Sequence, residues 1–389
     1  MFERELRELE EKHLLRHIIS RDLSQGPVIT INKKKYLNFS SNDYLGLSNN
    51  PAVVQAVEDS LQRHAFGSGA SRLLAGGSIL HKKLEERIAR FKGTESALIF
   101  NSGYSANTGI IPSITSEADA IFSDELNHAS LIDGCRLSRA KTMIYRHRDM
   151  THLQTLMKKT KARRKLVITD SVFSMDGDLA PLADIYEICR LQGAILYMDD
   201  AHGTGVLGRG RGAFAHFKIK PETWIIQMGT FSKAFGAFGA FVAGSEDVIK
   251  WISNTARSFL FSTALPSCVI AAALTGLRLV ERDPSMVKRL WSNRERLFEG
   301  LKSIGYNDAV SMTPILTVRT TSLSKALRLS KYLYEKGIYV PAIRPPTVCE
   351  PRLRITITAA HTEKHIDTLI AALRGQGVKH INYLNPHNL

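Results

Sequence analysis

From about Pro51 to Gly244 the sequence alternates short, unbroken apolar runs with longer stretches of helical periodicity, and this alternation restricts the fold most. The runs are Ala97–Phe100, Ala120–Ser123, Thr142–Tyr145, Leu166–Thr169, Ile195–Met198, Ile225–Met228 and Ala240–Ala243. A strand with one wet face alternates apolar and polar residues; a strand covered on both faces does not. The intervening helical patterns, such as Leu80–Phe91 and Ile185–Leu191, are the crossovers that parallel strands need. The pattern predicts a doubly wound α/β domain.

The flanking segments read differently. An amphipathic helix is expected from Phe2 through Leu6 and Leu9 to Ile18. A strand at Val28–Ile31, a hairpin turn at Lys33-Lys34-Lys35 and the piece Tyr36–Phe39 follow. A long helix over Ser267–Glu281 stops near Asp283-Pro284, where proline cannot continue it. Beyond lie helices Val287–Leu301 and Lys325–Lys336 and strands Ile315–Val318 and Leu353–Thr358. The expected organisation is an N-terminal helix and hairpin segment (1–50), a large domain (51–284) and a small α+β domain (285–389).

Charge is the unusual entry in the composition. Lys and Arg number 52 against 37 Asp and Glu, a surplus of +15. Nucleic acid, a membrane surface and anionic substrates are all compatible with it. The run Lys158–Lys165 carries six basic residues in eight. No aromatic interleaving, recognition-helix pattern or zinc spacing accompanies it, so no nucleic-acid partner is expected. The four cysteines, Cys135, Cys189, Cys268 and Cys349, form no CxxC pair, which argues against a metal module or a disulfide framework. Phe2-Glu3-Arg4-Glu5 is too charged for a secretory core, and the apolar stretch Cys268–Leu277 is too short for a membrane span. The expectation is a soluble cytoplasmic protein with no membrane partner.

In open α/β sheets chemistry gathers at the carboxyl ends of strands. The run Ile195–Met198 leads into Asp199-Asp200-Ala201-His202, and Ile225–Met228 leads into Gly229-Thr230-Phe231-Ser232-Lys233-Ala234-Phe235-Gly236. A lysine set among phenylalanines and glycines is either a surface-loop residue or a desolvated one, and desolvation is what a Schiff-base nucleophile requires. A carboxylate at a buried strand end needs a cationic partner: a metal, a pyridinium nitrogen or an arginine. Gly203–Gly208 formally matches GxGxxG, but no apolar helix opens there and Arg209-Gly210-Arg211-Gly212 continues the loop, so a dinucleotide site is rejected.

These strings, with several others, resemble the pyridoxal-phosphate (PLP) enzymes of aspartate-aminotransferase-like fold, specifically the α-oxoamine synthases. The others are Asn42–Leu47, Gly67–Arg72, Asn127-His128-Ala129-Ser130, Ser171–Asp178, and Arg352-Leu353-Arg354 followed by Thr356 and Ala359-Ala360-His361. They stand in family order along almost the whole chain. The resemblance implies fold type I: a large domain with a mostly parallel seven-stranded sheet and a smaller α+β C-terminal domain. It also implies PLP as cofactor, a homodimer, and decarboxylating condensation of an amino acid with an acyl thioester. Ile343–Val348 resembles the branch that joins L-alanine to pimeloyl-CoA or a pimeloyl-carrier protein. Glycine C-acetyltransferases and 5-aminolevulinate synthases, the alternatives, differ there. Cys349-Glu350-Pro351 is a shorter connector than the family's usual one.

The resemblance also assigns roles. Lys233 carries the cofactor and moves the substrate α-proton; Asp199 pairs with the pyridine nitrogen; His202 bonds the ring oxygen. His128 stacks on the ring, the alternative being a solvated loop histidine, and Ser174 lies near the ring oxygen and thioester. Ser102, Gly103, Tyr104 and Thr230 receive the phosphate. Ser262 and Thr263 reach the partner subunit's phosphate, or else form an ordinary helix cap. Arg354, assisted by Asn42, pairs with the amino-acid carboxylate, where a planar guanidinium suits two-point binding. Arg344 and Arg16 are candidates for the acyl substrate, Arg16 being otherwise a solvated residue of the first helix.

Overall fold

The computed structural model describes residues 1–306 and 311–376. In chain order the strands are β1 (Val28–Ile31), β2 (Lys34–Asn38), β3 (Ser96–Phe100), β4 (Ala120–Asp124), β5 (Lys141–Tyr145), β6 (Lys165–Asp170), β7 (Ile195–Asp199), β8 (Ile225–Thr230), β9 (Ala240–Gly244), β10 (Ile315–Arg319), β11 (Ile338–Tyr339), β12 (Ala342–Ile343) and β13 (Arg352–Thr356). They fall into two compact units. One comprises Met1–Asn42, Met175–Gly177 and the described residues from Leu290 onward; the other comprises Asp43–Ser174 and Asp178–Arg289.

The second unit holds the seven-stranded sheet, in the order β3-β9-β8-β7-β6-β4-β5. The pairs from β5 to β8 are parallel, and β9 runs antiparallel to both neighbours. All seven apolar runs became these strands. β4, β8 and β9 are buried along their whole length, which is why their sequences show no alternation. Helices on the faces complete the core: Ile110, Leu131, Ile249 and Ile252 pack with Ile121, Tyr197 and Val242 of the sheet. Each such side chain, fully buried, contributes about 1.5–3 kcal/mol. Helices Gly103–Ile114 and Ala129–Leu137 approach closely because residue 134 is glycine: a Cβ there would lie 2.8 Å from the Asn107 carbonyl oxygen and 2.7 Å from Ile111 Cδ1.

The first unit contains two three-stranded sheets, β1-β2-β11 and β10-β13-β12. β11 pairs in parallel with β2, so the N-terminal hairpin shares a unit with the C-terminal part instead of standing apart over 1–50. The divisions fall after Asn42 and after Arg289, against the expected 50 and 284, and the last residues of the expected 285–389 domain lie outside the described residues. Two local expectations are corrected. The first helix covers only Glu3–Glu11, because the chain turns at His13 (φ 55°) and the apolar spacing beyond it is not helical. The hairpin turn is Asn32-Lys33, both left-handed at φ 49° and 64°, while Lys34 and Lys35 belong to β2. Among the described residues no helix is long and apolar enough to cross a membrane.

Candidate active site

Strands β6 and β7 end on carboxylates in direct register, Asp170 beside Asp199. Both are buried. Two like charges that close in a dry site cannot both be retained cheaply. Burial and the Asp199 carboxylate push Asp170 well above the usual carboxylate range, against the lowering effect of the His128 N–H it accepts. That N–H···Oδ2 bond is 2.7 Å long and fixes the start of helix Ala129–Leu137 over the strand end.

Asp199 itself accepts at both oxygens: Oδ2 from Asn107 Nδ2 at 2.8 Å and Oδ1 from the Ala201 N–H at 2.9 Å. Asn107, fully buried, gives its other amide proton to Ser130 Oγ (2.8 Å) and accepts from the Tyr197 hydroxyl (2.7 Å). Ser130 in turn contacts His128 Nδ1 through its hydroxyl (2.7 Å), and its backbone N–H donates to the same nitrogen (3.2 Å). His128 therefore caps its helix through Nδ1 and leaves the other edge of the ring open. Desolvation and the nearby Lys233 charge lower its pKa against the pull of Asp199, which favours the uncharged ring.

His202 lies on the turn that follows β7 and meets the Tyr44 hydroxyl at Nδ1, 2.7 Å away. The adjacent Asp200 organises this turn. It binds Lys92 Nζ (2.7 Å), Ser171 Oγ (2.7 Å), Thr204 Oγ1 (2.9 Å) and the Ala213 N–H. The glycines around it have a steric cause. A Cβ on Gly203 would stand 2.1 Å from Asp200 Oδ1, and one on Gly212 1.9 Å from Oδ2. The GxGxxG-like string thus wraps a buried ion pair, with no helix opening on it for a dinucleotide.

β8 delivers the Lys233 loop. Phe231, Ala234 and Phe235 are buried, whereas Lys233 is half-buried and within electrostatic reach of His128 and Asp170. The loop is closed by Thr230, whose hydroxyl donates to the Gly239 carbonyl (2.8 Å) and contacts Ser232 Oγ (2.6 Å). The hydroxyl expected to meet a phosphate is thus engaged in shaping the loop, and the exposed Ser232 is the outward-facing one. After β3, Ser102 caps helix Gly103–Ile114 by accepting from the Ser105 N–H. Gly103 and Tyr104, the first two helical residues, have N–H groups with no partner inside the helix. Asn101 holds Ser262 and Thr263 beside this cap through its Nδ2, at 3.4 Å to Ser262 Oγ and 2.9 Å to the Thr263 carbonyl. Neither residue caps the following helix, whose N-cap is Pro266. Ser174, half-buried, ends the segment that follows β6.

The remaining candidates belong to the first unit. Arg354, on β13, is buried and donates to Asn42 Oδ1 (3.0 Å) and Thr356 Oγ1 (2.8 Å). Arg344 donates to the Leu15 carbonyl (2.6 Å), and Arg16 donates to Thr347 Oγ1 (3.1 Å) and the Pro345 carbonyl (3.4 Å). Arg16 is exposed but lies past the end of the first helix, with its guanidinium on the segment Ile343–Val348. Sequence reasoning missed Asn107, Tyr197, Tyr44, Asp170 and Lys92. Tyr44 lies inside the quoted string Asn42–Leu47 and Asp170 immediately precedes Ser171–Asp178, but the others bond over 90 residues or more and carry no local signal.

The donor set of the second unit suits a phosphorylated aromatic aldehyde. It offers free N–H groups at a helix start for a phosphate, an anionic acceptor at a buried strand end for a ring N–H, a neutral imidazole and a half-buried lysine. PLP has these chemical features, and the residues present fit it.

Comparison with known proteins gives the same answer. The profile of the family described as Aminotransferase class I and II matches residues 34–373. A putative 8-amino-7-oxononanoate synthase of Thermodesulfovibrio yellowstonii is 50% identical over 374 residues, 96% of each chain. The 8-amino-7-oxononanoate synthase of Geobacter sulfurreducens is 45% identical, covering 95% of this chain and 96% of its own. Among solved structures, the serine palmitoyltransferase of Sphingomonas wittichii superposes with a TM-score of 0.91 at 30% identity over 97% of both chains. The 8-amino-7-oxononanoate synthase of Francisella tularensis gives 0.76 at 29% identity, over 87% of this chain and 97% of that one. By fold, motif order and similarity, the chain belongs to the aminotransferase class I and II family of PLP enzymes, on its α-oxoamine synthase branch.

Proposed function

We propose that the chain performs the 8-amino-7-oxononanoate synthase reaction of biotin biosynthesis, the decarboxylating condensation of L-alanine with a pimeloyl thioester. The observation that carries this reading is near-full-length identity of 41–50% to relatives of that name. The segment Ile343–Val348 supports it from within the sequence.

PLP, when bound, supplies an electron sink for carbanion chemistry. The chain's own residues do the rest. Lys233 Nζ holds the cofactor covalently and afterwards carries the proton of the substrate α-carbon. Asp199, both oxygens committed as acceptors, holds the proton of the ring nitrogen. With Tyr44 donating to Nδ1, His202 keeps Nε2–H to donate to the ring oxygen. His128 offers an uncharged face for stacking, and Ser174 is assigned to the ring oxygen and thioester. The Gly103 and Tyr104 N–H groups, with Ser102 and Ser232, receive the phosphate. Arg354 binds the alanine carboxylate, its fork fixed by Asn42 and Thr356. Arg344 and Arg16 are assigned to the acyl substrate.

A homodimer is part of the reading. Phe66, Leu73, Leu74 and Phe261 are largely exposed, at 70%, 58%, 80% and 74%. They lie on two segments joined by the Ser71–Thr263 bridge, next to the Ser262-Thr263 pair. A second copy covering them would remove a large apolar surface from water.

The test crosses alanine, glycine and serine with acetyl, succinyl, pimeloyl and palmitoyl thioesters, with products detected by mass. The expected result is 8-amino-7-oxononanoate from alanine and a pimeloyl donor, CoA-linked or carrier-linked, in clear excess over other pairs. A preference for glycine with a short acyl donor would overturn the assignment.

A further inference from the structure

The amide of Asn107 has one oxygen and two protons to place, and all three are taken by groups of the candidate site. The Tyr197 hydroxyl is fully buried, and burial together with the Asp199 charge pushes its pKa far above the physiological range, so it donates. Its 2.7 Å bond to Oδ1 decides which way the amide faces. The two Nδ2 protons then point at Asp199 Oδ2 and Ser130 Oγ, both at 2.8 Å. The Ser130 N–H already donates to His128 Nδ1, which makes that nitrogen an acceptor, so the Ser130 hydroxyl, accepting from Asn107, turns its own proton to it. Proton direction is thereby fixed along the path from Tyr197 through Asn107 to Asp199 on one branch and to His128 on the other.

We infer that Asn107 is a positioning residue that locks Asp199 and His128 into a single unit, setting the carboxylate's orientation and the imidazole's together. Its place in the fold suits this role. Asn107 sits one turn into the helix capped by Ser102, so the same rigid element carries the phosphate-binding N–H groups and the amide. Gly134 allows the facing helix to approach closely enough for Ser130 to reach it. A buried network with every member satisfied is rigid; with one member removed, it leaves unpaired polar atoms in a dry site. The titratable or charged groups around this node are Asp199, Asp170, Asp124, His128, Lys233 and Tyr197.

The inference rests on PLP being the cofactor, and the experiment separates the two. Holoenzymes of the wild type, Asn107→Leu, Ser130→Ala and the double variant are compared by cofactor Kd in equilibrium dialysis. The pH midpoint of the bound cofactor's absorbance and the melting temperature are recorded for each. Asn107→Leu is expected to raise the cofactor Kd by at least about tenfold, the loss of one hydrogen bond to a charged group, and to move the absorbance midpoint. Ser130→Ala raises Kd by less, and the double variant is no worse than Asn107→Leu alone, because Ser130 acts through the same amide. A folded Asn107→Leu with wild-type Kd and midpoint overturns the inference, as do additive effects in the double variant. Should Asn107→Leu not fold, Tyr197→Phe is read in the same way, and an unchanged Kd and midpoint again overturns it. A wild type that binds no PLP refutes the proposed function instead.

Discussion

Lys92 is the last residue of its helix, yet its side chain is 1% exposed and its ammonium binds Asp200, whose own side chain is 0% exposed. Three acceptors surround Nζ: Asp200 Oδ2, Thr204 Oγ1 and the Arg211 carbonyl. Removing one partner of such a pair strands the other charge in a dry site. Lys92→Met is therefore expected to cost about 3–5 kcal/mol of stability, part of it recovered in Lys92→Met/Asp200→Asn, where no charge is stranded. Urea unfolding of the two variants checks this; a Lys92→Met protein as stable as wild type contradicts it. In the sequence, Lys92 reads as the tail of the pattern Leu80–Phe91, and its partner is 108 residues away. The glycines at 203 and 212 were visible, but their reason, clearance for a carboxylate, appears only when the chain is folded around it. Lys233, Asp199 and His202 stand out in the sequence as candidates because each lies just beyond the end of an apolar run.

At the scale of elements, each strand of the large sheet was legible, and the errors at their ends share a physical cause. Apolar pattern reports burial of side chains, whereas pairing continues onto polar residues. β4, β6 and β7 thus run one residue further, to Asp124, Asp170 and Asp199. The connection after β5 uses the first of these. His147 lies between Asp124 Oδ1 and Asp178 Oδ2, 2.9 Å from each, with Arg148 also on Asp178. Burial pulls its pKa down, but the hydrogen bonds and charges of the two carboxylates outweigh it and hold the value up at about 9. The sign follows from linkage: a histidine raised above its unfolded value stabilises fully below about pH 6.5 and loses that contribution as pH rises through about 9. The bridge closes the base of the loop that carries Phe173 and Ser174, since the Phe173 N–H donates to the Asp178 carbonyl. Wild type is expected to melt higher than His147→Gln at pH 7, with the gap narrowing as pH is raised to 10. A gap independent of pH over that range contradicts the assignment.

For the molecule as a whole, the surplus of +15 is compatible with nucleic acid, a membrane surface or anionic substrates, and Lys158–Lys165 is its densest run. The structure places that run at the opposite edge of the large sheet. Lys165 begins β6 and Asp170 ends it, five residues and roughly 16 Å along the strand. Arg163 is already paired with Asp119, and Lys165 with the Met157 carbonyl. Exchanging Lys158, Lys159, Lys161 and Arg164 for glutamine should leave the KM of the acyl donor and its salt dependence unchanged; a KM that rises several-fold at low salt would show that the run helps to capture the donor. Fold and family were legible because long-range order in the sequence, apolar runs and motifs in a fixed succession, survives without coordinates. The network around Asn107 was not, because hydrogen bonds between distant polar residues leave no periodicity. Lys233 is the proposed carrier of the cofactor. Borohydride reduction of the PLP-loaded protein, followed by peptide mass mapping, reads this directly. The predicted result is a single pyridoxyl adduct on Lys233, absent from Lys233→Ala; an adduct on another lysine, or none in a protein that is active, would contradict it.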